Sequence, residues 1–299
     1  MIKRPNFLCV GTQKAGTTTL HDILNQHPDI YLPESKEAHF FDTNETYEKG
    51  LDWWIQTFFY AQNGEKVVGA MTPEYLAFEE VPERIAKTLG ADIKIIMILR
   101  NPVDRAYSHY LMSRRRGYED YSFDEAIAME QERINKGDFE RSHFSYISRG
   151  MYYEQVKRYL DIFPRENILI ISFEDELIKN IEKTIERIQN FLKVENYKLD
   201  TQTKSNSAYK AKFLFLNRII FSENTFKKLA RKLIKSSTLK IAITKLIYNK
   251  NKTKNALLKL TSQEKENIMK KYFIDDIKKL ENLLQRDFSY WYEDRRDDK

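Results

Sequence analysis

Lys14 and three consecutive threonines, Thr17, Thr18 and Thr19, sit in "VGTQKAGTTTL", directly after an apolar run. A glycine-bounded loop between a strand and a helix presents backbone N–H groups and a helix N-terminus to an anion. Lys14 would add a mobile positive charge there, and the threonines hydroxyl donors. Gly11 and Gly16 have the spacing of the nucleotide-triphosphate loop G-x-x-x-x-G-K-[ST], but Thr17 stands where that loop has its lysine. The plain alternative is an ordinary strand-to-helix turn.

Two further groups of residues have chemistry in their spacing. In "LRNPVDRAYSHY" (99–110), Arg100 ends an apolar run and Pro102 opens a helical pattern. Ser108 then falls about two turns into that helix, with Arg105 about one turn before it. A strand-end arginine and a serine on the next helix can converge on a second phosphate; with Asp104 adjacent, a surface ion-pair network is the alternative. In "ESKEAHFFD" (34–42), an extended chain turns Glu37 and His39 to one side. A carboxylate beside an imidazole makes a general base and its partner, or else His39 is a structural histidine. The five histidines, His21, His27, His39, His109 and His143, show no ligand-like clustering with carboxylates in the sequence. No acidic strand end suggests magnesium. The expectation is an anion site without metal, which speaks against an ATP or GTP enzyme.

The elements that must position these residues follow from hydrophobic periodicity. Short apolar runs at 6–11, 66–71, 93–99 and 167–173 read as buried strands. Helical patterns fall at 16–26, 81–89, 102–115, 123–135, 151–162 and 180–192. Alternating strands and helices predict an α/β fold with a central, mainly parallel sheet flanked by helices in three layers. Ligands in such folds sit beyond the strand carboxyl ends, and the polar residues above all follow a predicted strand. Past residue 208 the pattern changes to basic amphipathic helices, at about 208–258. A last helix is capped by Thr261 or Ser262, with Ile268, Tyr272, Ile277, Leu280 and Leu284 facing inward. No flexible linker interrupts the chain, so residues 1–299 are read as one domain with a helical C-terminal portion.

Composition sets outer bounds. With 299 residues, 41% hydrophobic and 13% aromatic, the chain can bury a sizeable core. The single cysteine, Cys9, excludes an internal disulfide and a cysteine zinc site, and its apolar setting makes it a buried small hydrophobe. The N-terminal apolar run is far shorter than a signal-peptide core, and no stretch approaches the ~20 apolar residues of a membrane span. A soluble, cytoplasmic and bacterial protein is expected. The net charge of +6 is uneven: residues 201–260 carry fifteen Lys and Arg against one acid, Glu223. That segment suits a polyanion or an anionic inner-membrane surface, or is simply a solvated basic surface. No nucleic acid is expected as a partner.

With these residues in view, the chain resembles the sulfotransferases that use 3′-phosphoadenosine 5′-phosphosulfate (PAPS). "VGTQKAGTTTL" resembles their 5′-phosphosulfate loop, and "RNPVDRAYSHY" their 3′-phosphate motif, R-x-P-x-x-R-x-x-S-x-Y. "HPDIYLPESKEAHFFD" is similar to the segment after the first helix in glycosaminoglycan-type members, including heparan sulfate enzymes. "SRGMYYEQVKRYLDIFPRENILIISFEDE" (148–176) and the closing "DFSYWY" resemble the family's later stretches. The resemblance implies a P-loop-like fold and transfer of a sulfuryl group from PAPS to an acceptor hydroxyl, leaving adenosine 3′,5′-bisphosphate (PAP). It implies that Lys14, Ala15, Gly16, Thr17, Thr18 and Thr19 bind the phosphosulfate, with Lys14 stabilising the leaving group. Arg100 and Ser108 would hold the 3′-phosphate, and Arg149 and Gly150 would lie near the nucleotide. Glu37 would be the catalytic base, with His39 and Asp42 lining the acceptor site. The same comparison places Met71 at that site, where glycosaminoglycan enzymes often carry a lysine before Thr-Pro. Lys204 and Asn206 loosely match the family's nucleotide-covering stretch. The acceptor is expected to be a carbohydrate, such as a bacterial polysaccharide or glycolipid. A lipid, a carrier-bound acyl hydroxyl or an aryl alcohol remains open, as do two other classes, a nucleotide kinase and a non-catalytic anion-binding protein.

Overall fold

A computed structural model describes residues 2–202 and 259–293, together with the backbone of two short strands at Lys210–Ala211 and Lys252–Thr253. Lys204, Asn206 and most of the basic 208–258 segment lie outside the described residues.

Five parallel strands form the central sheet: β1 (Phe7–Gly11), β2 (Ile30–Tyr31), β3 (Val67–Met71), β4 (Lys94–Leu99) and β5 (Ile168–Ser172), in the order β2-β3-β1-β4-β5. Every residue of β1 and β3 is buried. This is why both read as unbroken apolar runs rather than as alternating ones: a parallel sheet is covered on both faces. Register aligns Cys9 of β1 with Met71 of β3 on one side and with Ile96 of β4 on the other. Close contact replaces a side chain at Gly69, where an added Cβ would lie 2.0 Å from the Phe7 ring.

Helices cover the sheet. α1 (Thr17–Leu24) turns Leu20, Ile23 and Leu24 into one apolar cluster with Phe7, Cys9, Ile96 and Ile98. The short helices α2 (Asn44–Tyr47) and α3 (Gly50–Phe58) follow the segment that carries Glu37 and His39. α4 (Val81–Leu89) has Pro82 in its first turn, where no N–H partner is needed, and stops at Gly90. α5 (Pro102–Arg116) leaves β4 after Arg100 and Asn101. α6 (Phe123–Ala128), α7 (Glu130–Ile134) and α8 (Asp138–Phe144) come next, so the expected 123–135 helix is two, broken at Met129. α9 (Tyr152–Leu160) precedes β5, and its Tyr159 hydroxyl donates to the Tyr75 carbonyl at 3.1 Å. α10 (Ile181–Leu192) adds Ile185, Ile188 and Leu192 to the cluster under α1.

The C-terminal helical run is Ser262–Ile268, a wider π turn at Met269–Phe273, and Ile274–Leu284. The wider turn inserts an extra residue, which moves the inward face. Ile268, Ile277 and Leu280 are buried as expected, but Met269 and Phe273 are buried in place of Tyr272, which is only half-buried, as is Leu284.

The chain divides into two compact units. The first takes residues 1–105, 148–206 and 266–299; the second takes 106–147 and 207–265. The sheet and the flanking helices α1–α4, α9 and α10 belong to the first. The second has a buried centre of its own. Arg133 donates to Glu119 at 2.7 Å and lies 3.5 Å over the Phe144 ring, while the Tyr146 hydroxyl donates to the same carboxylate at 2.8 Å. Ser108 is on the part of α5 that belongs to this second unit, and is half-buried there.

Candidate active site

The carboxyl ends of β1, β3, β4 and β5 bring their following loops to one edge of the sheet. Thr12 N–H donates to the Ile98 carbonyl at 2.8 Å, and Thr72 N–H to that of Cys9 at 3.0 Å. The loop after β1 reverses through left-handed backbone at Lys14 (φ 75°) and Gly16 (φ 80°). Gly16 is also hemmed in, since a Cβ there would meet Leu177 and Phe173 at 2.9 Å. α1 begins at the next residue with no side-chain cap and no acidic residue in its first turn. An uncapped helix N-terminus, a left-handed glycine and the neighbouring Lys14 make a donor set fitted to an anion such as a phosphosulfate.

Arg100 ties this loop to the next one. Its Nη1 donates to the Lys14 carbonyl at 2.7 Å, and the guanidinium lies 4.7 Å over the Phe173 ring. Its Nε is buried with no hydrogen-bond partner. The backbone beneath it is held on several sides. The Tyr152 hydroxyl donates to the Arg100 carbonyl at 2.8 Å, and Asn101 N–H donates to Glu174 at 2.9 Å. The Asn101 side chain donates to the Trp291 carbonyl at 3.0 Å.

The Glu37–Asp42 segment is fixed by the aromatics within and around it. Phe40 and Phe41 are buried against Trp54 of α3, with ring centroids 5.0 and 5.3 Å away. The Tyr75 hydroxyl donates to the Ala38 carbonyl and accepts from Phe40 N–H, both at 3.0 Å, and Trp54 Nε1 donates to the same carbonyl at 3.0 Å. With the alternate residues 38 and 40 locked inward, Glu37 and His39 emerge together, as the extended-chain reading expects. Glu37 Oε2 lies 3.9 Å from His39 Nε2, and His39 Nδ1 lies 2.5 Å from Asp42 Oδ2.

The charges are interlocked. Burial alone would raise the Glu37 carboxyl, but His39 and Lys36 outweigh it and bring it down to about 2. Burial would lower His39, but the carboxylates of Asp42 and Glu37 hold it up at about 10. The site at neutral pH therefore pairs a carboxylate with an imidazolium, and Glu37 is an acceptor only.

Three participants escape a sequence reading. Lys36 donates to the Thr17 hydroxyl at 3.2 Å and to Glu37 Oε1 at 3.3 Å. Glu74, three residues past β3, accepts from Gln13 Nε2 at 2.7 Å and from Arg149 at 3.1 Å, and its other oxygen lies 4.0 Å from His39. Gln13 in turn accepts from Arg149 at 3.0 Å. Attention to strand carboxyl ends could have found Glu74, and Lys36 adjoins a residue already singled out. The fold thus assembles a cluster that histidine spacing did not reveal: ligand atoms of His39, Asp42 and Glu74 all lie within 4.8 Å of one another. In this structure those groups are engaged with each other and with Arg149.

The other expected residues are placed as follows. Thr17 is buried, while Thr18 and Thr19 are half-buried on the first turn of α1, and Ala15 is buried in the apolar cluster. Arg149 is 2% exposed, beneath the loop that carries Gln13. Gly150 packs where a Cβ would meet Phe273 at 2.9 Å and Pro102 at 3.0 Å. Met71 is fully buried in the cluster with Cys9, so it offers an acceptor no polar contact.

A family model for the sulfotransferase domain matches residues 4–237. The chain belongs to the sulfotransferase family. It is an enzyme of that family by this match. This sulfotransferase is 31% identical over 193 residues to the mouse heparan sulfate glucosamine 3-O-sulfotransferase 5, covering 63% of this chain and 53% of the relative. It is 32% identical over 208 residues to the human bifunctional heparan sulfate N-deacetylase/N-sulfotransferase 2, covering 67% of this chain and 23% of that protein. The chain thus spans about half the length, or less, of these relatives. A crystal structure of a sulfotransferase from Alicyclobacillus acidocaldarius superposes with a TM-score of 0.70 at 29% identity, covering 98% of this chain and all of that one. The parallel sheet with flanking helices is that fold. Among the described residues no helix is long and apolar enough to cross a membrane.

Proposed function

We propose that this sulfotransferase transfers a sulfuryl group from PAPS to a hydroxyl of a carbohydrate, with Glu37 as the base. The carbohydrate class rests on the relatives named for heparan sulfate. One observation carries the residue roles: Thr17 of the anion loop and the Glu37 carboxylate are bridged by a single amine, Lys36, at 3.2 and 3.3 Å. Base and anion cradle are thereby joined through one side chain.

PAPS, when bound, supplies a sulfur whose bond to the 5′-phosphate oxygen breaks as the acceptor oxygen bonds to it. The protein's part is positioning and charge. Lys14 and the N–H groups at the start of α1 hold the 5′ end, with Lys14 meeting the charge left on the phosphate oxygen. Arg100, whose Nε has no hydrogen-bond partner, takes the 3′-phosphate. Glu37 accepts the hydroxyl proton, while His39, held by Asp42, orients Glu37 and the acceptor. Arg149 keeps the loop in place through Gln13.

Thermal shift separates this reading from its rivals. PAP without metal should stabilise the protein by more than ATP with magnesium does; the reverse would indicate a kinase. Glu37→Gln should bind PAP as the native enzyme does and lose roughly 10²–10⁴-fold in turnover. Turnover within a few-fold of native would remove Glu37 from the role.

A further inference from the structure

Lys36 is an awkward residue where it stands. Its side chain is only 15% exposed, and its amine reaches Thr17, the first residue of α1. A helix N-terminus carries partial positive charge, so an ammonium there is disfavoured unless an anion lies close to both. Glu37 is one such anion, but its side chain is 47% exposed and opens toward solvent. The amine also acts electrostatically on Cys9. Cys9 is register partner to Met71 across β1 and β3, a pair that carries no charge of its own.

We propose that Lys36 is a second cation of the transfer site, holding the sulfuryl oxygens of PAPS between the α1 N-terminus and Glu37. The inference rests on the PAPS reading above and deepens it. Lys14 serves the bridging oxygen side, and Lys36 serves the group in flight. When the sulfuryl group takes the amine, Glu37 loses one of the two cations that hold it anionic and becomes a better proton acceptor at that moment. Bonds and charges balance as in the transfer already described: Lys36 keeps its proton throughout, and the hydroxyl proton goes to Glu37.

PAP lacks the sulfuryl group that PAPS carries, so the two nucleotides isolate the contact. Titration calorimetry would compare both on the native enzyme, Lys36→Met and Lys36→Arg, with turnover measured in parallel. A charge-assisted contact predicts that Lys36→Met loses roughly 10- to 100-fold in PAPS affinity and keeps its PAP affinity within about two-fold. Lys36→Arg should recover most of the loss. Retained PAP affinity also shows that the variant is folded. Equal loss for both nucleotides would make Lys36 a mere support of the Thr17 loop, and no loss for either would make it a surface ion pair; each overturns the proposal. If the native enzyme binds neither nucleotide, the PAPS reading itself fails, an outcome distinct from both.

Discussion

Glu74 shows how much of the site depends on single carboxylates. It faces Arg149, which is 2% exposed, and it reaches Gln13 and His39 as well. Removing one partner of a buried ion pair costs about 3–5 kcal/mol, because the remaining charge keeps its desolvation penalty. Glu74→Ala should therefore lower the free energy of unfolding by about that amount in a urea titration, and Glu74→Gln by less, since the amide still accepts from Gln13 and Arg149. A loss below about 1 kcal/mol for Glu74→Ala would show that other groups meet the Arg149 charge. At this scale the sequence was legible where a side chain's placement follows from its neighbours in the chain. Glu37 and His39 are two residues apart, and Arg100 directly follows its strand. Lys36 and Glu74 were not legible, because their partners are remote: Thr17 is 19 positions from Lys36, and Gln13 is 61 from Glu74.

Elements were legible in proportion to their burial. The four longer strands fall within a residue of the apolar runs, since a strand covered on both faces needs apolar side chains at every position. β2 is two residues long, and α3 reads "GLDWWIQTF", whose aromatics suggest no single period. The π turn at 269–273 shifted the closing helix's face because its hydrogen bonding is not encoded in a regular repeat. Between β1 and α1, the proposed anion site is built largely from backbone. Gly16→Ala must place a methyl in left-handed backbone and against Phe173 and Leu177. That should cost about 1–3 kcal/mol of stability and weaken PAP binding, read by calorimetry. Gly64→Ala is the matched control: it has φ +93° but nothing within 4 Å of an added Cβ. If the two variants bind PAP equally, crowding at Gly16 plays no part in shaping the anion loop.

Across the whole molecule, the fold of the first unit depends on its last helix returning to a segment far upstream. Asp276 accepts from the N–H groups of Tyr152 and Tyr153 at the start of α9, at 2.7 and 3.2 Å, across 124 and 123 positions. Asp276 is buried, and burial raises its carboxyl from 3.8 to about 6 despite those two donors. The sign follows from proton binding. Between about pH 4 and pH 6 the folded chain holds a proton on Asp276 that the unfolded chain has released, so stability falls as pH rises through that window. Above it, the full cost of a buried carboxylate is present, on the order of 3 kcal/mol. Asp276→Asn keeps an oxygen for both N–H groups and removes the titration. Between pH 4 and pH 7, urea titrations of native and variant should diverge by about 1–3 kcal/mol in favour of the variant. Parallel stability curves across that range would mean that the two N–H groups fully offset burial, and that the closing helix is held the same way at either pH.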